Sequence, residues 1–194
     1  VRARFPDAAI FRPSVVFGPE DQLYNRFAAL ARLSPVLPLF GGGATRFQPV
    51  YVKDVAEAVT RAVATDAADG RVIELGGPEV RTLREIFELV LIETCRKRLL
   101  VPVPFAVAKF AAAFAQLLPG PPLTIDQVKL LAHDNVVSAA AKAEGRTLEG
   151  LGIAPTAAEA IVPAYLVRFR RRGQFEPAPE LGQRALGHRE AEQS

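Results

Sequence analysis

The stretch Ile10-Phe11-Arg12-Pro13-Ser14-Val15-Val16-Phe17-Gly18-Pro19-Glu20-Asp21 decides how the chain reads. Ala8 to Phe11 is a short apolar run that suits a buried strand. Pro13 has no N–H to give to a ladder, so regular pairing is expected to end there. Ser14 to Phe17 returns to a β-rich composition. Gly18-Pro19 forces a turn, and Asp21 is placed to cap a following helix. A strand that breaks into exposed backbone before a helix is where open α/β sheets hold ligands. The same residues also describe a turn that only redirects the chain, and composition alone leaves both readings open.

Working outward, 194 residues make one domain, or one with a small appendage. Apolar residues are 49% of the chain, enough for a real core, and the net charge of +3 makes no case for nucleic acid. A single cysteine excludes an internal disulfide and a thiolate cluster for zinc. His133 and His188 have no partner at ligand spacing, so no metal site is expected. Cys95 falls on an apolar helical pattern and reads as a buried, inert thiol. No signal-peptide pattern and no run of 18 apolar residues is present, so a reducing, cytoplasmic setting is the default expectation. The chain has no methionine. A processed chain or a fragment is therefore expected, with Val1 to Phe5 as the end of a helix begun upstream.

In order, Asp21 opens a helix with apolar Leu23, Phe27, Leu30 and Leu33, which Ser34-Pro35 stops. Val36 to Phe40 reads as an apolar, proline-containing connector. Gly41-Gly42-Gly43 lacks the third glycine of the dinucleotide fingerprint, Arg46 standing in its place, so a glycine-rich turn is the simpler account. Phe47 to Val52 reads as one strand. Asp54 with Glu57, Thr82 with Glu85, and Thr124 with Gln127 form capping boxes, and Thr156 with Glu159 starts a last helix that Pro163 should kink or restart. Val72 to Leu75 is a short strand ended by Gly76-Gly77-Pro78. Asn135 to Ser138 is a short extended piece, and Leu148 to Ile153 a turn. Alternating helices and strands argue for an α/β layer structure.

Phe105 to Leu118 is a nearly wholly apolar helix between Pro104 and Pro119. At about 1.5 Å per residue it is too short for a bilayer core of about 30 Å. It suits a core helix or an interfacial, partner-docking one. The stretch 1–172 is expected to form the folded part and 173–194, rich in Pro, Gly, Glu, Gln and Arg, a disordered tail. No Ser-His-Asp set is visible, and most carboxylates are explained as caps. Ser14 lacks a nucleophile elbow but suits a polar ligand contact.

These motifs carry a resemblance. Arg12 to Pro19 is similar to the segment that follows the catalytic helix in extended short-chain dehydrogenases/reductases, of the NAD-dependent epimerase/dehydratase superfamily. Val50-Tyr51-Val52-Lys53-Asp54-Val55-Ala56 is similar to their later strand-to-helix motif. More narrowly, four stretches resemble the branch that includes the NADPH-binding accessory subunit of respiratory complex I and its bacterial relatives. They are Phe17 to Asp21 with Asn25 to Phe27, then Phe47 to Val52, Leu75 to Pro78, and Leu148 to Ile153. The resemblance runs from about Ile10 to Phe169.

It implies an α/β chain that is the C-terminal part of a Rossmann-type NAD(P)-binding fold, with a small, mostly helical C-terminal lobe. It also implies that NAD or NADP is bound by the complete protein. The cofactor-binding candidates are Pro13, Ser14, Val15 and Val16, whose backbone would pass the nicotinamide end. Gln48 and Tyr51 are candidates for the substrate cleft. Arg46 lies one residue off the place of the family's phosphate-binding arginine, so that role is not carried over. The family's glycine-rich loop and Tyr-x-x-x-Lys pair would precede Val1, and none of Tyr24, Tyr51 and Tyr165 has Lys four residues on. This chain alone is therefore expected neither to bind cofactor tightly nor to transfer hydride.

Two functions follow from the resemblance. One is a structural or assembly role at a membrane NADH:quinone oxidoreductase. Complex I subunits or the membrane surface would be reached through Phe105–Leu118 and the basic Arg168 to Arg172 stretch, peripherally at the inner face of the energy-transducing membrane. The other is an NAD(P)-dependent oxidoreductase, epimerase or dehydratase acting on a sugar nucleotide, isoprenoid or other small molecule.

Overall fold

A computed structural model describes residues 3–65, 68–115 and 125–175. The strands are β1 (Ile10–Pro13), β2 (Val16–Phe17), β3 (Val36–Phe40), β4 (Arg46–Phe47), β5 (Val50–Tyr51), β6 (Val72–Leu75), β7 (Arg81–Thr82) and β8 (Leu99–Val103). The α-helices are α1 (Leu23–Leu33), α2 (Val52–Ala64), α3 (Leu83–Glu93), α4 (Phe105–Ala115), α5 (Ile125–Leu130), α6 (Ala139–Ala143) and α7 (Ala158–Leu166).

Each strand has one partner among the described residues. The pairs β1–β6, β2–β5 and β3–β8 are parallel, and β4–β7 is antiparallel. The first strand starts two residues later than expected, because Ala8 N–H bonds to Phe5 O in a turn. It then changes partner. Up to Pro13 it lies beside β6, and from Val16 it lies beside β5. The expected single strand Phe47 to Val52 is likewise two strands, β4 and β5, separated by Gln48-Pro49. Both exchanges occur at a proline, where the ladder loses a donor.

Val36 to Phe40 is a strand, not a connector, and Leu99–Val103 is its parallel partner. Both contain proline, which is why composition hides them. The prolines are staggered, Pro38 facing Val101 and Pro102 facing Leu39. In a two-stranded pair each has an open edge to which its missing N–H can turn.

Two apolar clusters result. One packs α2 on β1 and β6 through Val50, Ala58, Ile73, Leu75, Leu148 and Ile153. The other joins α1, α3 and α7 through Tyr24, Ala28, Leu83, Phe87, Val162 and Leu166. Phe11 and Val16 belong to the first, Val15 and Phe17 to the second. The opening stretch thus crosses from one cluster to the other, with alternating side chains serving each.

Local signals fared unevenly. The Thr82–Glu85 capping box is present, with Thr82 Oγ1 accepting from Glu85 N–H at 3.2 Å and Glu85 Oε2 from Thr82 N–H at 2.6 Å. The Asp54 box is absent, and neither α2 nor α7 has a side-chain cap at its start. Asp54 lies in the first turn of α2, buried, and accepts from Thr156 N–H at 2.7 Å and Thr156 Oγ1 at 2.9 Å. Each was read as a cap of its own helix, yet they bind each other across 102 residues. Glu57 instead pairs with Arg61, and Glu159 with Arg81. Helix α7 runs through Pro163 without a break, held by buried Val162, Tyr165 and Leu166. Leu148 to Ile153 is a turn closed by left-handed Gly152. The Thr124 box and residues 116–118 of the apolar helix lie outside the described residues, as do residues 176–194 of the tail.

Cys95 is not on a helix. It follows α3 at the left-handed position, φ 51°, with its N–H bonded to Ile92 O and Arg96 N–H bonded to Leu91 O. That is the helix-ending motif that usually takes glycine. The thiol is half-buried. Cys95→Gly should raise stability by about 1 kcal/mol by relieving the left-handed strain. A thermal melt checks this, and an unchanged or lowered midpoint would contradict it.

Candidate functional site

The site lies where the chain leaves β1. Ser14 N–H donates to Leu75 O at 2.8 Å, and Val15 O accepts from Val50 N–H at 2.9 Å. The Ser14 hydroxyl donates to Asn135 O at 2.6 Å and accepts from Gln48 N–H at 3.2 Å. Buried Ser14 therefore ties together the ends of β1 and β6, the β4–β5 break and the 134–137 segment. Its hydroxyl, which the sequence offered as a ligand contact, is engaged by protein on both sides.

Asp21 holds the following turn. Its carboxylate caps α1, accepting from Tyr24 N–H at 2.6 Å and Asn25 N–H at 3.2 Å. It also accepts from the Tyr165 hydroxyl at 2.5 Å, bringing α7 against the turn. Burial first, and then the Asp21 carboxylate, push the Tyr165 phenol well above the ordinary tyrosine range. Burial does the same for Tyr24. Arg168 donates to Asn25 Oδ1 at 2.9 Å on the outside of the same turn. Nothing local in the sequence pairs Asp21 with a tyrosine 144 residues away.

Val15 and Val16 line a cavity of about 1370 Å³. Its other walls come from α1, β3, Phe47 and Phe87, and its rim from Asp126 to Asn135. Phe27 and Phe87 stack on one wall, ring centres 4.0 Å apart. Pro13 is exposed at the end of β1.

Gln48 and Tyr51 are both buried, and neither lines the cavity. The Gln48 amide donates to Gly77 O at 2.7 Å and accepts from Val137 N–H at 3.0 Å. Tyr51 packs on Phe17, ring centres 5.5 Å apart. A Cβ on Gly77 would stand 1.9 Å from Pro49 O, so this glycine serves close backbone contact beside Gln48. Arg46 pairs at the surface with Asp134 at 2.8 Å, and these hydrogen bonds hold the Asp134 carboxyl below its ordinary range.

The triplet Gly41 to Gly43 takes left-handed φ throughout. The space beside Gly41 is filled by the Phe105 ring and that beside Gly43 by Leu39, while Gly42 faces open space. Of the Arg168 to Arg172 stretch only Arg170 is internal, and Arg168, Arg171 and Arg172 are exposed. Buried Arg170 donates to Glu93 O at 2.7 Å and pairs with the Glu93 carboxylate at 3.3 Å. Arg168 and Arg170 fasten the chain end to α1 and α3.

Comparison with known proteins gives this geometry a family. Residues 2–76 match the model described as NAD dependent epimerase/dehydratase family. The chain is 34% identical over 178 residues to NADH dehydrogenase [ubiquinone] 1 alpha subcomplex subunit 9, mitochondrial, of Arabidopsis thaliana, covering 87% of this chain and 43% of that protein. It is 30% identical over 180 residues to the NADH-ubiquinone oxidoreductase 40 kDa subunit, mitochondrial, of Neurospora crassa, covering 92% and 46%. The chain spans a little under half the length of these relatives.

Among solved structures, dTDP-glucose 4,6-dehydratase from Streptomyces venezuelae, with NAD and TYD bound, superposes with TM-score 0.55 at 17% identity over 85% of this chain and 44% of that one. UDP-glucose 4-epimerase from Thermotoga maritima superposes with TM-score 0.53 at 20% identity, over 84% and 45%. At such identities the likeness is one of fold. The segment is α/β and Rossmann-type, and β1–β6 and β2–β5 are its parallel pairs.

Ser14→Ala removes the hydroxyl that joins Asn135 O to Gln48 N–H. The expected loss is about 1–3 kcal/mol of stability. Chemical denaturation measures it, and a change below about 0.5 kcal/mol would show that Ser14 is not the junction described.

Proposed function

We propose that the complete protein is an NAD(P)-binding accessory subunit with a structural or assembly role at a membrane NADH:quinone oxidoreductase. The observation that carries this reading is the similarity to named subunits of such oxidoreductases over most of the chain.

For the cofactor, the residues present fit one end only. Val15 and Val16 put an aliphatic wall at the carboxyl end of the β1–β6 pair, where open α/β sheets take ligands. That suits the nicotinamide end, with Pro13 and Ser14 leading into it. The described residues offer no comparable cradle for the pyrophosphate, since the space beside Gly41 and Gly43 is filled by Phe105 and Leu39. Gln48 serves this site as a buried brace, and Tyr51 as packing behind Val16 and Phe17. When bound, the nicotinamide group supplies hydride chemistry. What this chain contributes is the wall that positions it and excludes water.

For the partner, α4 buries Ala108 and packs Phe105 inward, while Val107 and Phe110 are 56% and 68% exposed. The helix is at once a core element and an apolar outward face. Among the described residues no helix is long and apolar enough to cross a membrane. The reading is therefore a peripheral one, with α4 docked on complex I subunits at the inner face of the energy-transducing membrane.

Two measurements test this. Phe110→Ser should lower recovery of the tagged chain with the solubilised oxidoreductase severalfold while leaving the melting temperature within about 2 °C. If the variant melts instead, α4 is only a core helix. Calorimetric titration of this chain with NADPH should give no saturable heat. Saturable micromolar binding would overturn the assignment of a single cofactor wall.

A further inference from the structure

The cavity beside Val15 and Val16 has a chemistry of its own. Its volume, about 1370 Å³, exceeds the roughly 300–1,000 Å³ of an ordinary ligand pocket. Its walls are hydrocarbon: Val15, Phe27, Leu30, Val36, Phe40 and Phe87 face it from the junction, α1, β3 and α3. They continue outward onto Leu33 and Leu130, which are 79% and 71% exposed at its edge.

The charged side chains of the rim are engaged. Asp126 pairs with Lys129 at 3.1 Å, and Asp134 with Arg46 at 2.8 Å. His133 Nδ1 meets Lys129 O at 2.9 Å, and Arg26 has a partner of its own. A sugar nucleotide needs cations for its phosphates and donors for its hydroxyls. Burying it against these walls would leave polar groups unpaired, at a cost of about 1–3 kcal/mol each. A hydrocarbon chain has no such requirement, and each buried methylene contributes about 0.8 kcal/mol.

We propose that the cavity takes the hydrocarbon chain of an amphipathic lipid, with the polar head left at the rim formed by Lys129, His133 and Asp134. This goes beyond the cofactor reading, which claims only the Val15–Val16 corner of the same cavity, and it is tested independently of it. The apolar edge of Leu33 and Leu130 gives the chain a continuous greasy path from outside to Phe87. The source of the chain, a free fatty acid or a phospholipid, is separated by competition.

The experiment titrates the chain with cis-parinaric acid and follows its fluorescence. Saturable binding is expected, displaced by palmitate or by lysophosphatidylcholine but not by UDP-glucose. The better competitor identifies the source, and either one supports the proposal. Leu30→Trp fills the cavity without adding charge and should weaken binding about tenfold or more. Val63→Asp, on α2 at a position 85% exposed, should leave it unchanged. A thermal melt on each variant separates filling from unfolding, and should Leu30→Trp unfold, Leu30→Phe replaces it under the same expectation. No saturable binding, equal binding in the filled variant, or displacement by UDP-glucose would overturn the proposal. None of these outcomes bears on the NADPH titration, so the two readings fail separately.

Discussion

The partner exchange at Pro13 and Ser14 shapes everything around it. A strand cannot leave one neighbour for another without exposing backbone groups, and exposed buried groups are costly. Here Ser14 N–H finishes the ladder with Leu75, Val15 O begins the contact with Val50, and the Ser14 hydroxyl takes up Asn135 O and Gln48 N–H. The exchange is therefore made with its polar groups paired. It leaves two consecutive valines facing different clusters, and both line one cavity.

Asp21 performs the matching task at the far end of the stretch. A carboxylate at a helix N-terminus is favoured by the unpaired N–H groups there. Asp21 satisfies two of them and still receives the Tyr165 hydroxyl. Asp54, in the first turn of α2, caps no helix N–H but receives both the N–H and the hydroxyl of Thr156. Both carboxylates lie near helix starts, and both fasten the C-terminal segment to the rest. Arg170 on Glu93 and Arg168 on Asn25 extend that fastening. Among the described residues the buried charged groups Asp54, Glu93 and Arg170 work as internal ties.

The division of apolar surface is equally informative. Phe105 and Ala108 of α4 are committed inward while Val107 and Phe110 remain outside. Leu99 and Val101 of β8 are exposed as well. Outward hydrocarbon of this kind is what the proposed docking on a subunit or lipid would use. The similarity to oxidoreductase subunits and the hydrocarbon lining of the cavity are consistent with that setting.

Much was legible in the residues themselves. Periodicity in Leu83, Ile86, Phe87 and Val90 identifies α3, and Thr82 with Glu85 marks its start, because a capping box is a local arrangement that neighbours rarely alter. Pro13 marks the first partner exchange, since a missing N–H is a property of the residue alone, whereas the alternation of Phe47 to Val52 hides the second at Pro49. The motif order from Arg12 to Ile153 points to the family.

What only the tertiary structure decided is which polar group meets which. Asp54 and Thr156 each have the form of a cap, and a distant partner of matching chemistry binds them instead. Gln48 reads as a cleft residue until Gly77 and Val137 are seen to hold its amide. Val36 to Phe40 reads as a connector until Leu99–Val103 lies beside it. Caps and prolines act within a few residues, whereas a side chain buried among segments 60 to 140 residues apart is governed by the packing that brings them together.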